Sequence, residues 1–244
     1  MIEFVVLGCS GSYGAPPGGA CSGYLVRSGS TAVWIDCGNG TLVNLQRHLP
    51  LDDLTAAVPT HRHPDHCVDI LGLHIALKYG PGRTGFPVFA GPQVKKTLDP
   101  VAGGFGDTFD WHEVGDGDER EVGDLTLRFS ETDHSVPTLA VEVSDGERRV
   151  VYTSDTGPGW DPASAFGAGI DLLVAEASFQ DDVRGGGKHL TAREAGEAGR
   201  RSGARRLVIT HLWPTLDPSV SIREAEEGFG SAVTLAAPHL TVRV

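Results

Sequence analysis

The sequence predicts a mixed α/β protein whose strands run in consecutive series, pair partly antiparallel, and are covered by helices. Three observations predict it. Short β-branched, apolar runs recur along the chain, stretches of helical spacing stand between some of them, and the 33 glycines and 15 prolines collect in loops without forming a dividing linker. With 244 residues and 40% hydrophobic content, one domain spanning 1–244 has enough material to close a sizeable core.

Taken in order, "EFVVLG", "GYLVRS" and "TAVWID" read as strands, and "NGTLVNLQRHL" as a helix with apolar residues at helical spacing. The strand "AAVPT" follows, then the helix-like "CVDILGLHIALKYG". A series of strands comes next, "LTLRFS", "LAVEVS" and "RVVYTS", the last two joined by "VSDGERRV", whose Asp-Gly turn signals a hairpin. The strand "DLLVAEA", the helix "TAREAGEAGRRSG" with Thr191 as N-cap, the strand "RLVIT", the helix "SIREAEEGFG" with Ser221 as N-cap, and the strand "AVTLA" complete the chain. The two halves echo each other. "VWIDCG" then "AAVPTH" in the first is matched by "VYTSDTG" then "RLVITH" in the second, so halves packed face to face bring their strand-end loops to one edge.

Composition excludes several functions. The apolar runs fall far short of the roughly 20 residues of a membrane span. No basic leader precedes "FVVLG", and Cys9 of "VLGC" lies too near Met1 for a lipoprotein signal, so a cytoplasmic protein is expected. The four cysteines, Cys9, Cys21, Cys37 and Cys67, form no C-x-x-C pair and read as free packing thiols; beside Cys37 and Cys67, histidines and carboxylates outnumber them as candidate ligands. A formal charge of -12 argues against an extended nucleic-acid surface, which needs clustered Lys and Arg, while leaving room for a small anion held by metal ions.

The chemistry concentrates in "PTHRHPDH". His61, His63, Asp65 and His66 follow a buried-type strand and are expected on the loop before the next helix. In extended backbone, i and i+2 side chains point the same way, so His61 and His63 can grip one ion while Asp65 and His66 reach a neighbouring one. A polar turn with incidental histidines explains a lone imidazole. It does not explain H-x-H-x-D-H, because desolvating so many ionisable groups together costs roughly several kcal/mol unless a cation offsets it. Three further candidates end β-type runs: His134 in "ETDHSVP", Asp155 in "YTSDTGP" and His211 in "VITHLWP". Imidazole plus carboxylate suits zinc, with manganese and iron as competitors. His48, His74, His112 and His239 sit in or beside ordinary helices and strands and read as surface or core residues.

These motifs resemble the metallo-β-lactamase superfamily over nearly the whole chain, from the Gly-rich first loop to "THLWP". The resemblance implies an αββα sandwich, two mixed β-sheets flanked by helices, with two divalent ions along one edge. It assigns His61, His63 and His134 to one ion, Asp65, His66 and His211 to the other, and Asp155 to a bridge, with Asp36 orienting a ligand from behind. Asp155 stands where the lactamases themselves usually have a thiol, and "KHLTAREAG" is similar to the His-Thr-Ala-Glu-Ala element of the ribonuclease Z and phosphodiesterase branch. That implies phosphoester hydrolysis, with Asp65 and His189 as catalytic residues: His189 protonates the departing alkoxide, aligned by Glu176 or Glu194.

The Gly-rich loop at 8 to 19 lacks G-K-[ST], so it is no nucleotide P-loop, and it is placed along the pocket. Trp213 and Pro214, with Tyr13 and Phe179, offer a stacking wall for a base. Ribonuclease Z enzymes carry a long Gly/Pro-rich tRNA arm between the equivalents of His134 and Asp155, and here that stretch holds one hairpin. A small phosphodiester or nucleotide, including a cyclic nucleotide, is the expected substrate. The alternatives are a ribonuclease Z-like endoribonuclease lacking the arm and a lactone or thioester hydrolase of the same fold; a metal-binding scaffold without turnover fits the full ligand set least. The resemblance also admits a homodimer, which no sequence feature fixes.

Overall fold

In a computed structural model describing residues 1–80 and 82–244, strand after strand is buried on both faces, as expected where one face meets a second sheet and the other meets helices. β1 (Glu3–Gly8), β2 (Gly23–Ser28) and β3 (Thr31–Ile35) form an antiparallel meander in which Phe4 faces Val26 and Val26 faces Val33. β4 (Ala56–Val58), β5 (Phe86–Ala90) and β6 (Phe109–Glu113) extend it in parallel beyond β3. β7 (Glu119–Val122), β8 (Leu125–Glu131), β9 (Leu139–Ser144) and β10 (Arg149–Tyr152) form a second meander, which β11 (Leu172–Glu176), β12 (Leu207–Thr210) and β13 (Thr234–Leu235) continue in parallel. β14 (Thr241–Arg243) returns to pair with β1. Among the described residues these make two seven-stranded sheets, ordered β14-β1-β2-β3-β4-β5-β6 and β13-β12-β11-β10-β9-β8-β7.

Alternation along each strand divides the core. Phe4, Val6, Tyr24, Val26, Val33 and Ile35 point between the sheets and meet Leu127, Phe129, Val141, Tyr152 and Val174 of the other. Val5, Leu7, Leu25 and Trp34 point outward, beneath α1 (Thr41–Leu45), α2 (Pro64–Cys67), α3 (Ile70–Tyr79) and α4 (Val94–Ala102). Val151, Leu173, Ala175 and Ile209 lie beneath α5 (Pro162–Phe166), α6 (Ala192–Arg201) and α7 (Pro218–Phe229). The result is the expected αββα sandwich. At about 1.5–3 kcal/mol per fully buried aliphatic or aromatic side chain, these three layers supply the main stabilisation. No helix among the described residues is long and apolar enough to cross a membrane.

Local sequence explains most element ends. Thr191 caps α6 in a full capping box with Glu194. α7 begins earlier than expected: Asp217, not Ser221, is the N-cap, accepting from the Ser219 amide, with Pro218 in the first turn where its missing N–H costs nothing. The predicted loop at His61–His66 is also corrected. Pro64 starts the one-turn α2, so Asp65 and His66 are helical and His63 is the N-cap. The stretch read as one helix from Cys67 onward breaks at Val68–Asp69 into α2 and α3. His48 lies in the turn after α1, and His112 within β6.

α6 and α7 meet through glycines. A Cβ on Gly196 would stand 2.2 Å from the Ala225 carbonyl oxygen, and one on Gly228 2.4 Å from that of Arg193. Helix propensity alone favours Gly196→Ala by about 1 kcal/mol. The contact reverses the sign: Gly196→Ala is expected to destabilise by about 1–3 kcal/mol in chemical denaturation, and a stabilised variant would show that the helices do not approach this closely.

Candidate metal centre

β3 and β4 in one sheet and β10, β11 and β12 in the other pair in parallel, and the candidate residues sit at or just beyond their C-terminal ends: Asp36, His61, Asp155, Glu176 and His211. Asp36, Ser154 and His211 adopt left-handed backbone, at φ 52, 51 and 58. Such conformations cost about 1–3 kcal/mol each in non-glycine residues and concentrate at functional sites. They turn the chain sharply as it leaves each strand and place Asp36, Asp155 and His211 at the gap between the sheets. The Gly-rich first loop supports one of these turns. Cys9 accepts from the His211 amide at 3.0 Å, and Gly11 lies so close to the His211 carbonyl that a Cβ would stand 2.5 Å from it.

The structure brings all seven candidate ligands together. His61 Nε2 lies 3.0 Å from His63 Nδ1, and His134 Nε2 lies 3.3 Å from the same atom. Asp155 Oδ2 stands 3.7 Å from His61 Nε2 and 3.8 Å from His134 Nε2. On the other side, His66 Nε2 is 3.2 Å from His211 Nε2, and Asp65 Oδ2 is 3.5 and 3.4 Å from those two nitrogens. Asp155 Oδ1 faces this second group, 3.2 Å from His66 Nε2 and 3.5 Å from His211 Nε2. Asp155 therefore lies between two clusters, His61–His63–His134 and Asp65–His66–His211, each tight enough for one ion.

The surroundings test whether a cation fits. His61 Nδ1 has Thr60 Oγ1 as acceptor at 3.1 Å, His66 Nδ1 has Asp36 Oδ2 at 2.6 Å, His134 Nδ1 has the Lys188 carbonyl at 3.0 Å, and His211 Nδ1 has Ser178 Oγ at 2.9 Å. With the outer nitrogen of each ring donating, the inner Nε2 presents a lone pair. Four such lone pairs, His63 Nδ1 and two carboxylates converge in a buried space, and Asp155 Oδ1 makes no well-directed hydrogen bond among the described residues. Only positive charge relieves that arrangement, so the donor set fits divalent ions.

Titration follows the same geometry. Burial, reinforced by His66, holds His61 well below the usual histidine range, and burial with His134 lowers His63. Burial pushes Asp65 and Asp155 up, but the neighbouring imidazoles outweigh it and both stay low. Burial likewise opposes charge on His66, yet Asp155, Asp36 and Asp65 hold it well above its ordinary value. His66 would have to give up that proton to hold a divalent ion, so uptake should release protons.

Behind the ligands, Asp36 accepts from His66, from the Tyr152 hydroxyl at 2.8 Å and from the Thr60 amide at 2.9 Å. Beside the cluster, His189 Nδ1 donates to Glu176 Oε1 at 2.8 Å. Burial pulls the His189 imidazole down, and Glu176 more than offsets it, raising it to about 9. Of the two acids considered for His189, Glu176 makes the contact; Glu194 holds the Thr191 cap and pairs with Arg184. Ser178 donates to Glu176 Oε2 at 2.7 Å and accepts from His211, a link that the sequence reading missed together with Tyr152 and Thr60.

Cys37 and Cys67 are buried outside both clusters, and burial pushes the Cys67 thiol to about 12, the state of a packing residue. His74 packs against Phe105 and Phe109, His112 against Phe89, and His48 pairs with His239. A groove of about 600 Å³ opens beside His189, lined by Phe179, Val183, Trp213 and Leu216 and by the glycine tract. Tyr13 meets Trp213 edge to face at 6.1 Å, and Pro214 lines a smaller cavity on the other side of Trp213.

Residues 31–212 match the family described as Beta-lactamase superfamily domain. The chain is 31% identical over 245 residues to the probable metallo-hydrolase YhfI of Bacillus subtilis (strain 168), covering 96% of this chain and 97% of that one. The crystal structure of that metallo-beta-lactamase fold protein superposes with a TM-score of 0.89 at 28% identity, over 99% and 98% of the two chains. A ribonuclease Z of Methanopyrus kandleri is 29% identical over 261 residues, covering 91% of each.

Asp36→Ala strands three buried donors, each worth about 1–3 kcal/mol when left unpaired. The variant is expected to lose about 3 kcal/mol or more of stability in denaturation, and to bind metal about 10–100-fold more weakly because His66 loses its orienting partner. A loss below about 1 kcal/mol would contradict the role of this hub.

Proposed function

This chain belongs to the β-lactamase superfamily and is a metal-dependent hydrolase of that fold, and from that premise we propose that it hydrolyses a small phosphodiester, a cyclic nucleotide among the candidates. It acts as one hydrolase domain over 1–244 in the cytoplasm. His61, His63 and His134 would hold one divalent ion, Asp65, His66 and His211 the other, with Asp155 shared; zinc suits the donors, and manganese or iron compete. Two ions so held supply a water of lowered pKa and offset the charge on the phosphoryl oxygens.

The observation that carries the diester reading is the His189–Glu176 pair at 2.8 Å. An alkoxide is a poor leaving group and needs a proton as its bond to phosphorus breaks. Glu176 fixes the His189 tautomer with Nδ1–H, leaving Nε2 to hand that proton over at the cluster's edge. Glu176 is itself fixed, accepting from the Thr156 and Ser178 amides at 2.8 and 3.2 Å. Asp65 has 13% of its side chain exposed against 3% for Asp155, and we assign it the proton released by the attacking water.

The surroundings of the site support a small substrate. Between His134 and Asp155 the chain forms only the tight hairpin β9–β10, and the charge of -12 opposes binding along a polynucleotide. The groove beside His189, with Trp213 as its exposed wall and Asp182 and Arg184 also in its lining, suits one flat group of a small substrate. The resemblance to an enzyme named ribonuclease Z supports phosphodiester chemistry.

His189→Ala is expected to slow diesters with alkyl leaving groups about 10²–10⁴-fold, and bis(4-nitrophenyl) phosphate much less, because nitrophenolate leaves without a proton. Equal losses on both would remove His189 from proton transfer, and strong lactone turnover that survives the change would favour the lactonase alternative. Trp213→Ala should raise KM for nucleotide diesters by about 10-fold, the value of one stacking contact, with metal content unchanged.

A further inference from the structure

The loop that carries His189 arrives from a run of exposed residues, Asp181–Lys188, that includes the tract Gly185–Gly187. Glycines give the backbone the widest freedom, so a loop ending on them does not by itself hold a catalytic group in place. Glu176 grips the ring itself, and Lys188 ties down the backbone just before it. Its ammonium donates to Asp133 Oδ1 at 2.6 Å, and its carbonyl accepts from His134 Nδ1 at 3.0 Å.

Asp133 is bound in turn to the loop of Asp155. Its carbonyl accepts from the Gly157 amide at 2.6 Å, its Oδ2 from the Gly159 amide at 3.2 Å, and its own amide donates to Thr156 Oγ1 at 3.3 Å. Gly157 and Gly159 lie against it so closely that a Cβ on either would meet Asp133 Oδ2 at 2.9 or 2.5 Å. The Thr156 amide donates to Glu176, and Glu176 accepts from His189. The contacts close a circuit, Asp133 to Lys188 to His189 to Glu176 to Thr156 and back to Asp133, through three loops that bear His134, Asp155 and His189.

We propose that the Asp133–Lys188 ion pair is a positioning element for His189, setting where the end of the glycine tract stops relative to the metal cluster so that Nε2 meets the leaving oxygen. This rests on the reading of His189 as the acid. The pair is exposed, at 28% for Asp133 and 58% for Lys188, and exposed pairs contribute little to stability. Its effect is therefore on geometry, where a displacement of about 1 Å can cost about 100-fold in rate.

The test compares Lys188→Met, which keeps the side-chain stem and removes the charge, with Lys188→Arg, Asp133→Asn and His189→Ala in the metal-loaded enzyme. Lys188→Met and Asp133→Asn are expected to lower kcat about 10–100-fold on an alkyl diester, with little change on bis(4-nitrophenyl) phosphate and an unchanged Tm; Lys188→Arg restores most of the loss. In ¹⁵N-histidine spectra of the metal-free Lys188→Met protein, which keeps the Lys188 carbonyl that His134 uses, the ring signals of His189 shift while those of His134, His48 and His239 stay. If His189→Ala is selective for the poor leaving group and Lys188→Met is not, the positioning role is overturned and the acid stands. If His189→Ala shows no such selectivity, the acid reading itself fails, and the positioning role fails with it.

Discussion

The structure depends on one electrostatic constraint: ring nitrogens and carboxylate oxygens from four separate segments converge, buried, at the edge between two sheets. His61, His66 and His211 are almost wholly buried, and Asp155 is buried between them. Such a gathering repels itself unless a cation occupies its centre. The acceptors placed on the far side of each ring turn the lone pairs inward and make the repulsion useful, since the same arrangement that destabilises an isolated cluster binds divalent ions.

The sandwich is what allows these four segments to meet. Parallel strands of both sheets end at the same edge, and left-handed residues at Asp36, Ser154 and His211 turn the chain into the gap. The two halves use this device with an offset of one residue. In the first, the left-handed residue is the acid itself, so Asp36 stays behind the ligands and gathers three donors; in the second it is Ser154, and the acid one position on, Asp155, reaches between the two clusters. A one-residue difference in register thus separates a supporting carboxylate from a candidate ligand.

This explains what was legible in the sequence. H-x-H-x-D-H is a local pattern, and His134, Asp155 and His211 follow short apolar runs that read as strands, so the seven candidate ligands and the four-layer fold could be read from the residues and the family resemblance. The choice between Glu176 and Glu194 was also open to local reading, because Thr191-x-x-Glu194 is a capping-box pattern that commits Glu194 to the helix start. Asp217-Pro218 marked the true start of α7 in the same way. Tyr152, Thr60 and Ser178 were not legible: their roles arise from contacts across the two sheets or between strand ends, which no spacing along the chain records. α4 escaped notice because Pro100 lies inside it, and β5 because Pro87 interrupts its apolar run.

The central claim, that this cluster is built around a pair of divalent ions, is tested most directly by titrating zinc into chelator-stripped protein and following heat, proton release and bound metal together. Two equivalents are expected to be taken up tightly with release of protons, and one equivalent when His134 or His211 is replaced by alanine. Weak uptake of less than one equivalent by the wild-type protein would contradict the claim.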